Sequence, residues 1–568
     1  MSEHYHPWTH RTLSRRRMLR GAGLGALGLA GAALIGCGGE DETPATPSGG
    51  AAATATGPTP AASATQAATP RGGTLKFAYH ADPAYLTPRF SRSGFDNAFL
   101  LVSGDNYVYV KADGTVDPER GLFPQFEYPD PATFVAKLRP DVKFHDGSVL
   151  DAEAVKAHLE YLMDPEKAAK FGYASLLSTI SAIDTPDAET VSIKLTTADV
   201  GFVSALAVAP GIPFSVAAVD QFGDTEILKP VMTGPYKVDD YTSGAGWTYS
   251  RNEAFWGPKE REPYLDKLEF RAITQDETRA AAVESGDVDA TWFPSSSETT
   301  LRLSKSGDLQ SRSFEAGPTL FTVNQNMPPL DNLKLRQAIA HAIDKAKILQ
   351  ADFQGQGAVA QSMLPSGTFG YLAHDPYPYD VAKAKALVLA SGEPTPIKIK
   401  YALAGTPPSA GATLTASLYK EMLDAVGFDV QIENVTGNNA IFDALFANKT
   451  HHVGPFSTGV RPDPVAQFAL YATSDAFYNA GRDTADPAQA AIDELVGKAR
   501  AELNDEAREA LLFDIQRLLH DNVFAQIPIV ARIRWAFAGK NVGGFDDPEF
   551  LNTPAGASFR ARLLWLNA

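Results

Sequence analysis

The stretch from Phe134 to Leu162 reads FVAKLRPDVKFHDGSVLDAEAVKAHLEYL. Phe134, Ala136 and Leu138 alternate with Val135, Lys137 and Arg139, the period of a half-buried strand. Pro140-Asp141 ends the alternation, and Val142 to Phe144 predicts a second, short strand. His145-Asp146-Gly147 predicts a tight turn, with glycine free to take the positive φ. Asp151 stands where a helix N-cap belongs. Behind it Ala154, Val155, His158, Leu159 and Leu162 recur at helical spacing. Strand, turn and capped helix together specify an α/β element.

Outward from this stretch, 568 residues predict two to four domains and a large buried core. The net charge is −17, although the first 37 residues carry +4. So acidic a body argues against nucleic acid and against broad contact with anionic lipid. The sole cysteine, Cys37, rules out an intramolecular disulfide, so the core alone must hold the fold.

The N-terminus reads as an address. Ser14-Arg15-Arg16-Arg17-Met18-Leu19-Arg20 matches a twin-arginine export pattern. The uncharged run Gly21 to Gly36 is too short and too rich in glycine to span a bilayer, and fits a signal peptide. Leu34-Ile35-Gly36-Cys37 has the form of a lipobox, in which Cys37 receives two acyl chains and anchors the protein to the cell membrane. Residues 38–71 are almost entirely Gly, Ala, Thr, Pro and Ser, a composition that predicts a disordered tether. Gly23, Gly25 and Gly28 fit a dinucleotide fingerprint in spacing only. No strand precedes them and they lie within the signal peptide.

The wording KLRPDVKFHDGSVLDAEAVK, Lys137 to Lys156, resembles the signature of the family 5 extracytoplasmic solute-binding proteins, the oligopeptide, dipeptide and nickel group that serves ABC importers. RGGTLKFAYHADPAYLTP at Arg71 to Pro88 is similar to the family's first strand and loop. MTGPYKVDDYTSGAGWTYSRNEAFWG and TLFTVNQNMPPLDNLKLRQAIAHAIDKAKIL carry further family passages. The resemblance covers roughly residues 72–568. It implies a two-lobed α/β fold of the periplasmic-binding-protein type II, with an extra insert subdomain. Lobe I is then expected at 72–110, 229–315 and 534–568, the insert at 111–228 and lobe II at 316–533. Asp331 is expected to cap the helix that holds Leu335, Arg336 and Ile339. Arg336 is read as one half of a structural ion pair.

Such proteins close two lobes on a solute and release it unaltered to permease subunits. The resemblance therefore implies a monomeric, extracytoplasmic binding protein without cofactor or catalytic residues, whose solute is a peptide or a similar small polar compound. It places Tyr173 where peptide binders face ligand, and Thr319 and Phe321 on a cleft-lining strand. Asp105-Asn106-Tyr107-Val108 stands where relatives carry Tyr-Glu-Gly-Leu, which makes Asn106 and Tyr107 candidates beside the cleft. In GPFSTGVRPDPVAQF, Gly454 to Phe468, Val460 replaces the aspartate that grips a peptide's amino terminus. Arg461 instead offers a planar fork suited to an anionic group. Asp463 reads either as an anion in the cleft or as a loop cap. His451-His452 cannot both face one way on a strand, and no further His or Cys is adjacent in sequence, so metal binding is not expected. An exported hydrolase is the rival from another class, but GxSxG, HExxH and Walker A motifs are all missing. A sensory or scaffold lipoprotein on the same fold is the third reading.

Overall fold

Thr133–Lys137 is a strand in the computed structural model and buries Phe134 and Ala136. The helix Ala152–Met163 follows, and the Asp151 carboxylate accepts the Ala154 N–H at 2.9 Å. The structure describes residues 69–567, apart from 84, 92–98, 112–114, 168–170, 258–262, 293–296, 406–407, 409, 437–439, 460, 482–485, 524–525 and 553–557. The signal peptide, Cys37 and nearly all of the tether lie outside the described residues. Gly147 takes φ 91°, as the turn requires. The short strand expected at 142–144 is only an isolated bridge between Lys143 and Val149. The turn folds back so tightly that the ladder stops there.

Around this element a four-stranded antiparallel sheet forms, in the order Gln125–Asp130, Thr133–Lys137, Thr190–Leu195, Ile180–Asp187. A separate twelve-stranded sheet carries the remainder of the body. In its first half Thr74–Tyr79 lies parallel to Lys267–Ala272 and Ala290–Trp292. In its second half Ile397–Ala404 lies parallel to Phe428–Val435 and Val453–Ser457.

One strand belongs to both halves. Gln526–Gly539 pairs through its first residues with Thr319–Val323, and through its last with Leu309–Glu315 and Ala290–Trp292. The segment Leu309 to Val323 makes the same crossing in the opposite direction. Each half has its own apolar core. Trp247, Phe270 and Trp292 pack in the first, and Phe321, Ile399 and Tyr419 in the second. A third core runs from the four-stranded sheet into the helices Pro464–Tyr471, Pro487–Ala501 and Asp505–Asp521.

The expected cap at Asp331 falls one residue later. Asn332 accepts the Lys334 N–H, while the Asp331 carbonyl accepts from Arg336. Arg336 also donates to the carbonyls of Leu330 and Asn522, so it serves structure through carbonyls rather than through an ion pair. Among the described residues no helix is long and apolar enough to cross a membrane.

Candidate functional site

In sheets with parallel strands, ligands gather outside the strands' carboxyl ends. Here those ends are Tyr79-His80 and Trp292 in the first half, and Ser457 in the second, with Arg461 on the loop that follows. The two crossing segments run between them.

The second-half loop brings together two residues named separately from sequence. Arg461 Nη2 donates to the Tyr173 hydroxyl at 3.1 Å, and the guanidinium lies 5.1 Å from the Tyr173 ring centre. Tyr471 and Tyr478 stand beside them, with ring centres 5.1 Å apart. Burial opposes the Arg461 charge, but the ionisable phenols of Tyr173, Tyr471 and Tyr478 beside it, once they lose their protons at high pH, hold the guanidinium above its ordinary range. Burial pushes Tyr471 up to about 12. Arg461 is on the second-half loop and Tyr173 comes from the region of the four-stranded sheet, so the pair ties these parts together. Val200 N–H to the Arg500 carbonyl at 2.9 Å, and Arg500 Nη2 to the Ser175 carbonyl at 3.1 Å, reinforce the same seam.

The other sequence candidates are placed differently. Asp463 is fully buried. It accepts two bonds from Arg508 Nη2, at 2.6 and 2.7 Å, and the Val465 N–H at 2.8 Å. Of its two readings, the structure gives it the loop cap, at the head of Pro464–Tyr471. Phe321 turns away from the cleft into the second core, 4.6 Å from the Tyr419 ring. Its neighbour Thr319 is half-buried and exchanges hydrogen bonds with the Val530 backbone at 3.3 and 3.1 Å, at an irregularity of the crossing strand.

Asn106 and Tyr107 also belong to the interior. Asn106 donates to the Val208 carbonyl at 3.1 Å. Tyr107 stacks on Phe123 at 4.6 Å, with its hydroxyl 3.0 Å from His158 Nδ1. Asp105 explains why this segment is inward. Arg562 donates to it at 2.9 Å and Trp256 at 3.1 Å. Burial pushes the Asp105 carboxyl up to about 6, although Arg562 and Trp256 oppose the shift.

Sequence reasoning passed over four cationic or titratable side chains on or near the crossing strand: His80, Arg279, Arg532 and Arg534. A signal was present in VARIRWAF, where two arginines alternate within an otherwise apolar strand and so share one face. Arg532 and Arg534 keep partial exposure to water. Protein nevertheless surrounds them so closely that burial dominates their charge balance.

His451 and His452 do not converge. His451 faces Glu433 at 3.3 Å, while His452 Nδ1 accepts the Lys400 N–H. Among the described residues no three His, Cys, Asp or Glu side chains form a metal-binding group. A cavity of about 20 Å³ lined by Lys345, Asp375 and His520 lies away from the seam, and its lysine is already paired with Asp375 at 2.6 Å. It has room for about one water.

Residues 125–479 match the model of the bacterial extracellular solute-binding proteins, family 5 middle region, and the chain belongs to that family. Glutathione-binding protein GsiB of Pectobacterium atrosepticum is 32% identical over 269 residues, 47% of this chain and 51% of that protein. The same protein from Escherichia coli K12 is 29% identical over the same length. The chain thus matches about half the length of these curated relatives. The fold is similar to the binding protein AgaA in complex with agropinic acid from A. tumefacien R10, with a TM-score of 0.78 and 24% identity, covering 87% of this chain and 99% of that one. It is also similar to DppA of Helicobacter pylori in complex with the peptide STSA, with a TM-score of 0.76 and 21% identity, covering 88% and 99%. The fold is the two-lobed periplasmic-binding-protein type II with an added subdomain.

Proposed function

We propose that this chain is the solute-binding component of an ABC importer. It captures a peptide or similar small polar solute between its lobes and hands it unaltered to the permease. The carrying observation is the pair of crossing segments, Leu309 to Val323 and Gln526–Gly539, shared by two halves with separate cores. Few contacts change when such halves rotate about extended strands, so solute contacts on both faces can set the open–closed balance.

Boundaries at 315/316 and 533/534 agree with where Gln526–Gly539 changes partners. Lobe I would then comprise 72–110, 229–315 and 534–568, with 111–228 as its insert, and lobe II 316–533. Similar proteins are described as binding glutathione, agropinic acid and a short peptide, all small polar solutes with an acid group. Export by the twin-arginine route, diacylation of Cys37 and a monomeric state complete the reading, with the tether giving the body reach toward a membrane-embedded partner. The chemistry is binding and not turnover.

The experiment is mass spectrometry of small molecules released from the purified full chain by mild denaturation, followed by incubation of each with fresh protein. The expected result is a small polar compound recovered intact. A compound emerging chemically changed would overturn the reading in favour of an enzyme.

A further inference from the structure

The insert, residues 111–228, touches both halves of the body, and its two seams differ in kind. Toward the first half the chain itself crosses twice, entering the insert after Val110 and returning at Lys229. A buried ion pair joins them as well, Arg89 Nη1 to Glu226 Oε2 at 3.1 Å, and Arg89 Nη2 donates to the Tyr161 hydroxyl at 2.8 Å. Lys237 Nζ adds a bond to the His145 carbonyl at 3.0 Å.

Toward the second half no chain segment crosses, and the parts meet through side chains and backbone alone. Arg500, in the last turn of the helix Pro487–Ala501, donates through Nη2 to the Ser175 carbonyl at 3.1 Å and through Nη1 to the Ser178 hydroxyl at 3.3 Å. Its own carbonyl accepts the Val200 N–H at 2.9 Å. Arg461 Nη2 donates to the Tyr173 hydroxyl at 3.1 Å. The turn Ala174–Leu177 lies against Pro464–Tyr471, and Leu176 and Leu177 share one core with Val465 and Phe468. A like-charge pair works against these contacts. Asp199, in the insert, accepts from the Thr179 hydroxyl at 2.9 Å and the Gly201 N–H at 3.0 Å. Burial raises its carboxyl above the ordinary range; the Arg500 charge opposes the shift, and Asp463, across the seam, adds to it. Attraction and repulsion thus oppose each other at the seam that no chain spans, while the covalent crossings hold the other seam together.

We propose that the second seam is a latch: the insert stays with the first half, and its contacts with Arg461, Arg500 and Pro464–Tyr471 form as the lobes close on solute and part as they open. The proposal rests on the solute-binding reading above and adds a share of the closing free energy that no solute atom supplies. Measured affinity then contains the latch, because it scales with the fraction of chains in the closing-competent form.

The test uses the full chain with glutathione and with the peptide Ser-Thr-Ser-Ala, by calorimetry and by amide hydrogen exchange around Val200. Wild type is expected to bind at least one probe, and binding to slow exchange at Val200 about tenfold or more, as its N–H meets the Arg500 carbonyl. R500A should bind that probe about tenfold more weakly, since two bonds of the shut form are lost, and R500K should recover part of the affinity. Amides of Thr133–Lys137, inside the insert, should exchange alike in wild type and R500A. Faster exchange there in R500A would make Arg500 a support of the fold and overturn the latch. Equal protection of Val200 with and without bound probe would make insert and second half one permanent body, and R500A binding as tightly as wild type would leave the seam without influence; either result overturns the latch while leaving solute binding intact. Failure of wild type to bind both probes, with no solute co-purifying, would overturn the solute-binding reading and the latch with it.

Discussion

Replacing Asp463 by asparagine tests whether this residue holds the fold or the solute. Asparagine keeps an oxygen for the Val465 N–H, so the helix cap survives and only the charge is lost. What remains is Arg508, 2% exposed, which also donates to the Ala499 carbonyl at 3.1 Å. Removing one partner of a buried ion pair costs about 3–5 kcal/mol, because the other charge stays buried and uncompensated. Asp199, a buried carboxylate close enough to repel Asp463, offsets part of this and favours the lower end. With an unfolding entropy of about 2.1 cal/mol/K per residue, the body of about 500 residues loses about 1 kcal/mol per degree near its midpoint. D463N should therefore melt about 3–5 °C lower if the body unfolds as one unit. The double variant with Arg508→Met should recover part of the loss, since the stranded charge is gone, giving a coupling of about 2 kcal/mol. Calorimetry on the four proteins measures both quantities. A D463N midpoint within about 1 °C of wild type, together with lost solute affinity, would refute the structural role and return Asp463 to the cleft.

Two further substitutions probe the interior and the crossing. Burial pushes His158 down to about 3, below the 6.5 of the free ring, so its neutral form contributes stability fully above pH 6.5 and progressively less as pH falls. The loss reaches about 1.4 kcal/mol per pH unit, or about 2 kcal/mol between pH 6.5 and 5. Melting of H158F over that range should decline less steeply than wild type, and identical slopes would contradict the assignment. Gly317 lies on a crossing segment, where an added Cβ would come 2.2 Å from the Thr458 carbonyl oxygen. The nearest atoms are backbone, so G317A should lose about 1–3 kcal/mol in urea unfolding, and an unchanged midpoint would show that the crossing yields.

The local elements were legible because their signals are local. The alternation at Phe134 to Leu138, the glycine at 147 and the carboxylate at 151 each act within a few residues, and each acts in the structure as read. Family wording then carried the two-lobed architecture, which no periodicity contains. Side-chain direction at the cleft was not legible in the same way. Phe321 and Thr319 sit two apart on one strand, yet an irregularity against Val530 leaves Thr319 half-buried and sends Phe321 into the core. Tyr173 and Arg461 are 288 positions apart, and only packing of the four-stranded subdomain against the second half makes them neighbours. Arg532 and Arg534 could be placed on one face from their spacing, but what that face meets depended on pairing with strands more than 200 residues away. The sequence by itself determined family and local fold, since these reside in contiguous residues. Only the tertiary structure decided which candidate side chains are buried and which partners they meet, because burial and pairing are set by distant parts of the chain.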